Sequence, residues 1–315
     1  MNDQRAFLFP GQASQYVGMG KDLCENFAVA RAMFQAANEQ LGFDIQKICI
    51  EGPLEELTKT SVTQPAILIH SAIVARILEE EKGLTPAMAA GHSMGEYSAL
   101  FAAGVLSFEA ALRLVKLRGE LMHQAGMEKP GTMAAIMGMP PQEVEALCQE
   151  ITMQLAAQDL VVQPANFNSP EQTVISGSIE AIDQAMKLAK GRGAKLAKKL
   201  VVGGAFHSPL MAAARAGLKK GLAVTAFNDA KFPIYTNVTG KPETQADRLR
   251  ELLEQQLTSP VRWLSAIENM IIGGVQSFWE IGPGNVLAGL LKRINKNFVA
   301  TTIGKAEEVR TVLDS

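Results

Sequence analysis

The chain has 315 residues, of which 47% are apolar and 20% are charged, and its formal net charge is −2. This composition is typical of a soluble globular protein, and the near balance of charge excludes the broad basic surface of a nucleic-acid-binding or membrane-surface protein. The length is sufficient for one large domain that carries a smaller insert.

The cysteines and the N-terminal segment indicate a cytoplasmic protein. The three cysteines are odd in number and widely spaced, without zinc-type or Cys-x-x-Cys spacing, which is typical of reduced core thiols. The first residues lack the long apolar run of a signal peptide, and no stretch approaches 18 uninterrupted apolar residues, so we expect no transmembrane helix.

Short apolar strands alternate with helical patterns along the first 130 residues. A strand at residues 6–10 is followed by helices at 28–41 and 64–81, and then by a second buried strand at 86–90. This alternation predicts a mainly parallel α/β sheet.

The second strand leads into Gly91-His-Ser93-Met-Gly95, and another helical pattern follows. Gly-x-Ser-x-Gly between a strand and a helix is the signature of a nucleophile elbow. The glycines allow a turn sharp enough to expose the serine hydroxyl, and the N-terminus of the next helix can stabilise negative charge there. The sequence therefore predicts that Ser93 is a reactive nucleophile.

The helix predicted at residues 108–126 carries one unusual charge. Arg118 lies in the middle of its apolar stripe, which is formed at helical spacing by Ala111, Leu114, Val115 and Met122. A guanidinium that faces the core needs a partner, because an unpaired buried charge is costly. The partner is an internal Asp or Glu, water reached by snorkelling, or a carboxylate supplied by a substrate.

The pattern changes between residues 132 and 202. Strands are predicted at 133–137, 160–164, 173–176 and 194–202, helices at 141–153 and 178–190, and a turn at 166–170. The order β-α-β-β-α-β predicts a ferredoxin-like small domain at 132–202. It is inserted into a large domain formed by residues 1–131 and 203–315.

The chain then returns to the large domain. Helices are predicted at 210–223, 248–257 and 285–294, and strands at 234–237, 276–281 and 298–303, the last of them at the edge of the sheet.

A nucleophilic serine needs a base within hydrogen-bonding reach. His92 adjoins Ser93 on a tight turn, where neighbouring side chains diverge, and His70 and His123 lie in helical patterns. His207 follows a Gly-Gly pair and precedes Ser-Pro, in a loop at the end of a strand, where α/β scaffolds carry catalytic groups. We therefore predict that His207 is the base.

Two further parts of the site are the group that orients the imidazole and the donors of the oxyanion hole. No Asp between Ser93 and His207 outside the insert is a convincing third member, so a backbone carbonyl or an amide is expected to orient the imidazole. An oxyanion hole needs two donors. The backbone N–H of Met94 is one candidate, and the Gly11-Gln12 loop after the first strand is the other.

Seven motifs occur in one order between residue 6 and about residue 305. They are Phe9-Pro-Gly-Gln-Ala-Ser-Gln15, Thr63-Gln-Pro-Ala66, Gly91-His-Ser-Met-Gly-Glu-Tyr97, Arg118-Gly119, Ala165-Asn-Phe-Asn-Ser-Pro170, Ala205-Phe-His-Ser-Pro209 and Glu280-Ile-Gly-Pro-Gly284. This series resembles the malonyl-CoA:acyl carrier protein transacylase family. The resemblance implies an α/β-hydrolase-like large domain with a ferredoxin-like insert, in agreement with the pattern above.

The resemblance also implies roles for individual residues. Ser93 becomes the nucleophile and His207 the base, and Gln256 matches the position whose backbone carbonyl orients the histidine in the family. Gln12 and the Met94 N–H become oxyanion-hole groups, and Arg118 binds the malonyl carboxylate. Where the family usually has glycine in its first motif, this chain has Ala13, which restricts the loop's backbone freedom.

The activity implied by the resemblance is transfer of a malonyl group from malonyl-CoA to the phosphopantetheine thiol of a holo acyl carrier protein, by a ping-pong mechanism. No metal or bound cofactor, nucleic acid or membrane is implied, and a monomer is the default. The residues do not separate fatty-acid from polyketide synthesis. Acidic carrier proteins suggest a basic docking patch, for which the candidates are Lys195, Lys198, Lys199, Lys292 and Arg293.

Three other functions compete with this one. The same Ser/His pair could discharge the acyl-serine to water, as in editing acyl hydrolases, although Arg118 argues against this for a malonyl group. A non-catalytic carrier-protein-binding subunit is disfavoured because Ser93 and His207 are both present. An ordinary esterase is weakest, because the Ser–Asp–His order is not evident.

Overall fold

A computed structural model of the chain describes residues 4–315. Within these residues the strands are β1 Arg5–Phe9, β2 Met88–Gly91, β3 Gly131–Met137, β4 Val162–Ser169, β5 Gln172–Ser178, β6 Leu196–Lys199, β7 Ile234–Tyr235, β8 Pro242–Glu243, β9 Ser277–Ile281 and β10 Ala300–Ile303.

The helices of the same part of the chain vary from five to 23 residues. They are α1 Lys21–Asn26, α2 Ala28–Leu41, α3 Ile45–Glu51, α4 Leu54–Thr58, α5 Thr60–Lys82, α6 Gly95–Ala102, α7 Phe108–Glu128, α8 Pro141–Gln154, α9 Ile179–Gly191, α10 Ala212–Ala223, α11 Ala246–Gln255, α12 Trp263–Ile272, α13 Val286–Ile294 and α14 Ala306–Asp314. Short 3₁₀ turns lie at Ala156–Gln158, Pro209–Met211 and Gln256–Thr258.

The larger sheet has the strand order β10-β9-β1-β2-β7-β8. Adjacent strands of this sheet are parallel, except for β7 and β8, which are antiparallel. Phe9 is in register with Gly91, so the loops that follow β1 and β2 leave the sheet side by side at its carboxyl edge. The predicted mainly parallel α/β sheet is confirmed, and so is the position of the last strand at its edge.

Helix α5 lies in the core of the large sheet's helical layer, where it packs against α2, α6 and α7. By length and composition it could cross a membrane, but 89% of its most apolar stretch is buried inside the fold. Burial among other helices accounts for its apolar character, as expected of a core helix that is hydrophobic on most faces.

The smaller sheet is antiparallel throughout, with the strand order β4-β5-β3-β6. Together with α8 and α9 it forms the β-α-β-β-α-β arrangement, and these elements share a hydrophobic core of their own. The predicted ferredoxin-like fold is therefore confirmed. The sheet runs from Gly131 to Lys199, and the exact domain boundaries at 132 and 202 stay a prediction.

The turn predicted at 166–170 is shorter and lies later in the chain, at residues 170–171 between β4 and β5. Residues 166–169 continue β4, which is irregular because its register against β5 shifts after Pro164 and again after Phe167. The backbone there also pairs with the large domain, since Phe167 N–H donates to Val261 O at 2.9 Å and Val261 N–H donates to Ala165 O at 2.8 Å. The small domain is thereby joined to the large one through main-chain hydrogen bonds.

Candidate active site

Ser93 lies on a sharp turn between β2 and α6, with φ at 53° in the left-handed region. Side chains at the flanking glycines cannot fit this turn. A Cβ on Gly91 would lie 2.0 Å from the Gly95 carbonyl oxygen, and a Cβ on Gly95 would lie 2.2 Å from the carbonyl oxygen of Phe9. Both glycines of the predicted elbow are therefore required, because neighbouring backbone atoms approach each of them too closely for a side chain.

Asn237, two residues after β7, holds the elbow. Its Oδ1 accepts a hydrogen bond from the Ser93 N–H at 2.7 Å, and its Nδ2 donates to the Gly91 carbonyl at 2.6 Å. Asn237 is 2% exposed, so these bonds satisfy buried backbone groups on both sides of the turn.

The structure brings Ser93 and His207 together, although 114 residues separate them. Ser93 Oγ lies 2.7 Å from His207 Nε2, and His207 Nδ1 lies 2.8 Å from the carbonyl oxygen of Gln256. A carbonyl can only accept, so Nδ1 carries the proton, and Nε2 of the neutral ring accepts from the serine hydroxyl. This is the geometry that a serine nucleophile and its base require.

The backbone of His207 is held in place by the small domain. Gln163, on β4, donates from Nε2 to the His207 carbonyl at 2.7 Å and to the Thr258 carbonyl at 3.2 Å. His207 itself has φ at 58°, a strained value that persists only where surrounding contacts enforce it. Burial and the positive charge of Arg118 lower the pKa of His207 to about 3, so the ring is neutral at physiological pH.

Arg118 is 1% exposed, as its place in the apolar stripe of α7 predicts. Its Nη1 donates to Gln64 Oε1 at 2.7 Å, and its Nη2 donates to Gln256 Oε1 at 3.0 Å and to Ser93 Oγ at 3.1 Å. All three acceptors are neutral oxygens, and within residues 4–315 no carboxylate contacts the guanidinium. Of the three partners considered from the sequence, an internal acid in direct contact is therefore excluded, and so is exposure to solvent.

Glu96 is a second buried charge beside the elbow, and it is 2% exposed. Its Oε2 accepts from Gln256 Nε2 at 2.5 Å and from the Asn237 N–H at 3.4 Å. Burial raises the pKa of Glu96 to about 7, although these hydrogen bonds and the charge of Arg118 act in the opposite direction.

Gln12 and Met94, the predicted oxyanion-hole residues, lie on adjacent segments. The His92 N–H donates to the Phe9 carbonyl at 2.9 Å, and a Cβ on Gly11 would lie 2.5 Å from the His92 oxygen, so the loop after β1 packs on the elbow. Within the described part of the chain, neither the Gln12 N–H nor the Met94 N–H donates a hydrogen bond, which leaves both donors available to a ligand.

The other histidines are placed differently. His92 Nε2 lies 2.8 Å from Asn168 Oδ1, so its ring points to the small domain and not to Ser93 Oγ. His70 is buried in α5, and His123 is exposed on α7. Over the described range, 4–315, no group of three or more His, Cys, Asp or Glu side chains is arranged to hold a metal ion.

Several residues that contribute to the site are missing from the predictions made from the sequence. Glu96 carried a signal, because it is the one charge in a helix that is otherwise small or apolar, Gly95–Ala102. Gln64 and Asn168 fall within two of the seven motifs, but the sequence does not show what they contact. Asn237 and Gln163 have no sequence signal that we recognise, because their roles depend on contacts with distant segments.

Comparison with known proteins identifies the family. Residues 6–311 match the acyl transferase domain family. The chain is 42% identical over 311 residues to the malonyl CoA-acyl carrier protein transacylase of Escherichia coli K12, with 99% of each chain covered. It is 43% identical over 310 residues to the protein of that name from Bacillus subtilis 168, with 98% of this chain and 96% of that protein covered.

The solved structures agree with this result. The fold matches a malonyl-transacylase in complex with its type II polyketide-synthase acyl-carrier protein, with a TM-score of 0.94, 41% identity and 99% of each chain covered. A match of this quality over the whole length includes both domains. The chain therefore belongs to the malonyl-CoA:acyl carrier protein transacylase family.

Proposed function

We propose that this protein transfers a malonyl group from malonyl-CoA to the phosphopantetheine thiol of an acyl carrier protein, through a malonyl ester on Ser93. The observation that carries this proposal is the place of Arg118: a buried guanidinium, contacted by no protein carboxylate among the described residues, lies 3.1 Å from Ser93 Oγ. A cation beside the nucleophile suits an acyl group that ends in its own carboxylate.

The first half-reaction forms the acyl-enzyme. His207 Nε2 takes the Ser93 proton while Oγ attacks the thioester carbonyl carbon. The N–H groups of Met94 and Gln12 donate to the oxyanion of the tetrahedral intermediate. The C–S bond then breaks, the departing sulfur takes the proton from His207, and free CoA leaves malonyl-Ser93 behind.

The second half-reaction reverses these steps with a different thiol. The phosphopantetheine sulfur gives its proton to His207 and attacks the ester carbonyl carbon. The C–O bond to Ser93 breaks, and Oγ recovers the proton from Nε2. Because both half-reactions use one site in turn, the kinetics are ping-pong.

Arg118 supplies the preference for a dicarboxylic acyl group. A malonyl carboxylate can replace the neutral acceptors of the guanidinium with two charge-assisted hydrogen bonds. An acetyl group offers no such acceptor, so it gains none of this energy, and discrimination follows from the difference.

An acyl carrier protein is the proposed partner, supported by the similar transacylase solved with its own carrier protein. Lys195 and Arg293, one from each group of candidate basic residues, lie beside the same turn of the small domain. Lys195 pairs with Glu171 at 3.7 Å, and Arg293 donates to the neighbouring Gln172 at 3.1 Å, so one turn of the small domain joins them. We propose this basic face as the surface that receives the acidic carrier.

We propose a cytoplasmic monomer that uses no metal and no cofactor other than the phosphopantetheine of its partner. Light scattering on the purified protein measures the mass directly, and activity after dialysis against a chelator tests the metal requirement.

The test of the function is transfer of radiolabel from malonyl-CoA to a holo acyl carrier protein. The wild-type protein is expected to label the carrier and, without carrier, to hold label on itself, whereas Ser93→Ala does neither. Release of malonate to water faster than transfer to the carrier would instead support the competing editing hydrolase. Persistent protein labelling in Ser93→Ala would overturn the assignment of the nucleophile.

A further inference from the structure

The charge of Arg118 needs compensation in the free enzyme. The guanidinium is buried, and its described acceptors are the neutral oxygens of Gln64, Gln256 and Ser93. A buried cation without a nearby negative charge is strongly unfavourable. Glu96 is close enough to interact with Arg118 electrostatically, without touching it.

The side-chain amide of Gln256 connects the two charges. Its Oε1 accepts from Arg118 at 3.0 Å, and its Nε2 donates to Glu96 Oε2 at 2.5 Å. The amide is thus oriented by a cation on one side and an acid on the other. Glu96 therefore compensates the guanidinium through the Gln256 amide, and the hydrogen bond from Nη2 to Ser93 Oγ is the one that a ligand at the nucleophile would replace.

We infer that Glu96 is the resident counter-ion of Arg118, and that a bound malonyl carboxylate takes over this role while Glu96 takes up a proton from solvent. The inference rests on the proposed function, which brings that carboxylate to Arg118. Above the pKa of Glu96, the free site holds one positive and one negative charge and is neutral. A second carboxylate would leave it with a net negative charge in a buried space, and one proton on Glu96 restores neutrality.

The protonation state of Glu96 is poised for this exchange. Burial already raises the pKa of its carboxyl to about 7, and a second anion nearby raises it further. The titratable groups that interact with it, Arg118 and Tyr97, do not change charge near neutrality: Arg118 stays cationic, and burial raises the pKa of Tyr97 above its usual value. His207, which contacts Ser93 and the Gln256 carbonyl, has a pKa of about 3.

Linkage fixes the direction of the pH effect. If malonyl binding favours protonated Glu96, then protonated Glu96 favours malonyl binding to the same extent. Affinity for malonyl-CoA is therefore highest below pH 7 and falls as the pH rises above it. Acetyl-CoA carries the same CoA moiety and no acyl carboxylate, so its affinity lacks this component.

The experiment counts protons during binding. Ser93→Ala protein, which binds without reacting, is titrated with malonyl-CoA and with acetyl-CoA by calorimetry at pH 7.5, in buffers of different ionisation enthalpy. We expect malonyl-CoA to take up roughly half a proton or more beyond acetyl-CoA, from a pKa near 7 that rises on binding. In Ser93→Ala/Glu96→Gln the difference disappears. Equal uptake for the two ligands, or a difference that survives Glu96→Gln, would overturn the inference.

A matched control and a second measurement complete the test. The Glu280 side chain is also fully buried, and its carboxylate accepts hydrogen bonds from the backbone N–H groups of Leu287 and Ala288 at the start of α13. Glu280→Gln in the Ser93→Ala background should leave the proton count unchanged. If Glu96→Gln does not fold, infrared difference spectra of Ser93→Ala decide: malonyl-CoA, but not acetyl-CoA, should produce a protonated-carboxyl band, to which histidine cannot contribute.

The same titrations separate this inference from the proposed function. Malonyl-CoA that binds more tightly than acetyl-CoA and loses this advantage in Arg118→Ala supports the function, even when the proton counts are equal. Equal affinity for the two ligands, with no malonyl transfer by the wild-type enzyme, contradicts the function itself.

Discussion

The backbone carbonyl of Gln256 accepts a hydrogen bond from Nδ1 of His207 at 2.8 Å. In a Ser–His–Asp triad that place is taken by a carboxylate, which orients the ring and also stabilises the imidazolium. A neutral carbonyl orients the ring without contributing charge. Burial and the positive charge of Arg118 lower the pKa of His207 to about 3, although the hydrogen bond to Gln256 acts in the opposite direction. Such a base suits an activated thioester better than an amide, whose leaving group needs strong acid assistance.

The low pKa of His207 predicts an unusual pH profile. A histidine with its ordinary pKa of 6.5 loses its function as a base below that pH, whereas His207 stays neutral down to about pH 3. We expect inactivation of Ser93 by a neutral fluorophosphonate to keep its rate from pH 8 to pH 5. The experiment uses Glu96→Gln protein, because the Glu96 carboxyl beside the site has a pKa near neutrality and would change the rate on its own account. A fall in rate with a midpoint near 6.5 would contradict the prediction.

The same shift affects stability. Because the folded state disfavours protonated His207, this histidine takes up its proton at a higher pH in the unfolded chain than in the folded protein. The contribution of His207 to the free energy of unfolding therefore falls as the pH decreases from 6.5 to about 3, and it does not change above 6.5. Denaturant unfolding of wild-type and His207→Gln proteins at several pH values should show the two curves converging or crossing as the solution becomes acidic.

Arg118→Ala should abolish the preference for malonyl-CoA. Loss of the charge-assisted hydrogen bonds, at about 1.5–3 kcal/mol, corresponds to a decrease of roughly ten- to a hundredfold in kcat/KM for malonyl-CoA. Acetyl-CoA should be affected much less. Arg113→Ala is the matched control, because Arg113 lies on the same helix and is exposed. Undiminished discrimination in Arg118→Ala would count against its role.

Asn237→Ala should loosen the elbow. It leaves the Ser93 N–H and the Gly91 carbonyl without their partner, at about 1–3 kcal/mol for each buried group. We expect a decrease of about 2–6 kcal/mol in the free energy of unfolding and a lower kcat, measured by urea denaturation and by carrier-protein labelling. Asn228→Ala removes a hydrogen bond from an exposed asparagine and should cost less than about 0.5 kcal/mol. Equal effects of the two variants would show that the elbow does not depend on Asn237.

Ala13→Gly should stabilise the protein. Ala13 has φ at 79°, in the left-handed region where a Cβ costs about 1–2 kcal/mol. Glycine removes this strain but adds unfolded-state entropy of about 0.4–1 kcal/mol, so we expect a net gain of about 0.5–1 kcal/mol. Thermal unfolding measures it. Ala36→Gly, at an exposed position of helix α2, should destabilise the protein by about 1 kcal/mol; a loss at both positions would contradict the prediction.

Local patterns were sufficient for much of the fold. The elbow was predictable because Gly91 and Gly95 stand at fixed spacing around Ser93, and the burial of Arg118 followed from its place in an apolar stripe. Helix α12 was missed, although Trp263–Ile272 is largely apolar, because no helix-start signal precedes it. The order of the small-domain elements was predicted correctly for the same local reasons.

The rest depends on contacts that no local pattern encodes. Gln256 and Glu96 are 160 residues apart, and their hydrogen bond exists only because α6 and the segment after α11 meet behind the elbow. The turn predicted at 166–170 begins only at Pro170, for a related reason. Asn166-Phe-Asn-Ser has the composition of a turn, but backbone pairing with Val261 keeps it extended.

The pairing of β4 with Val261 limits how this enzyme can be re-engineered. The strand that carries Gln163 supports the carbonyl of His207 and is bonded to the main chain of the other domain on either side of Asn166. The ferredoxin-like domain therefore cannot be exchanged independently of the large domain. A chimaera that grafts this unit from a relative must also transplant the loop around Val261, or the imidazole will lose its scaffold although every catalytic side chain is still encoded.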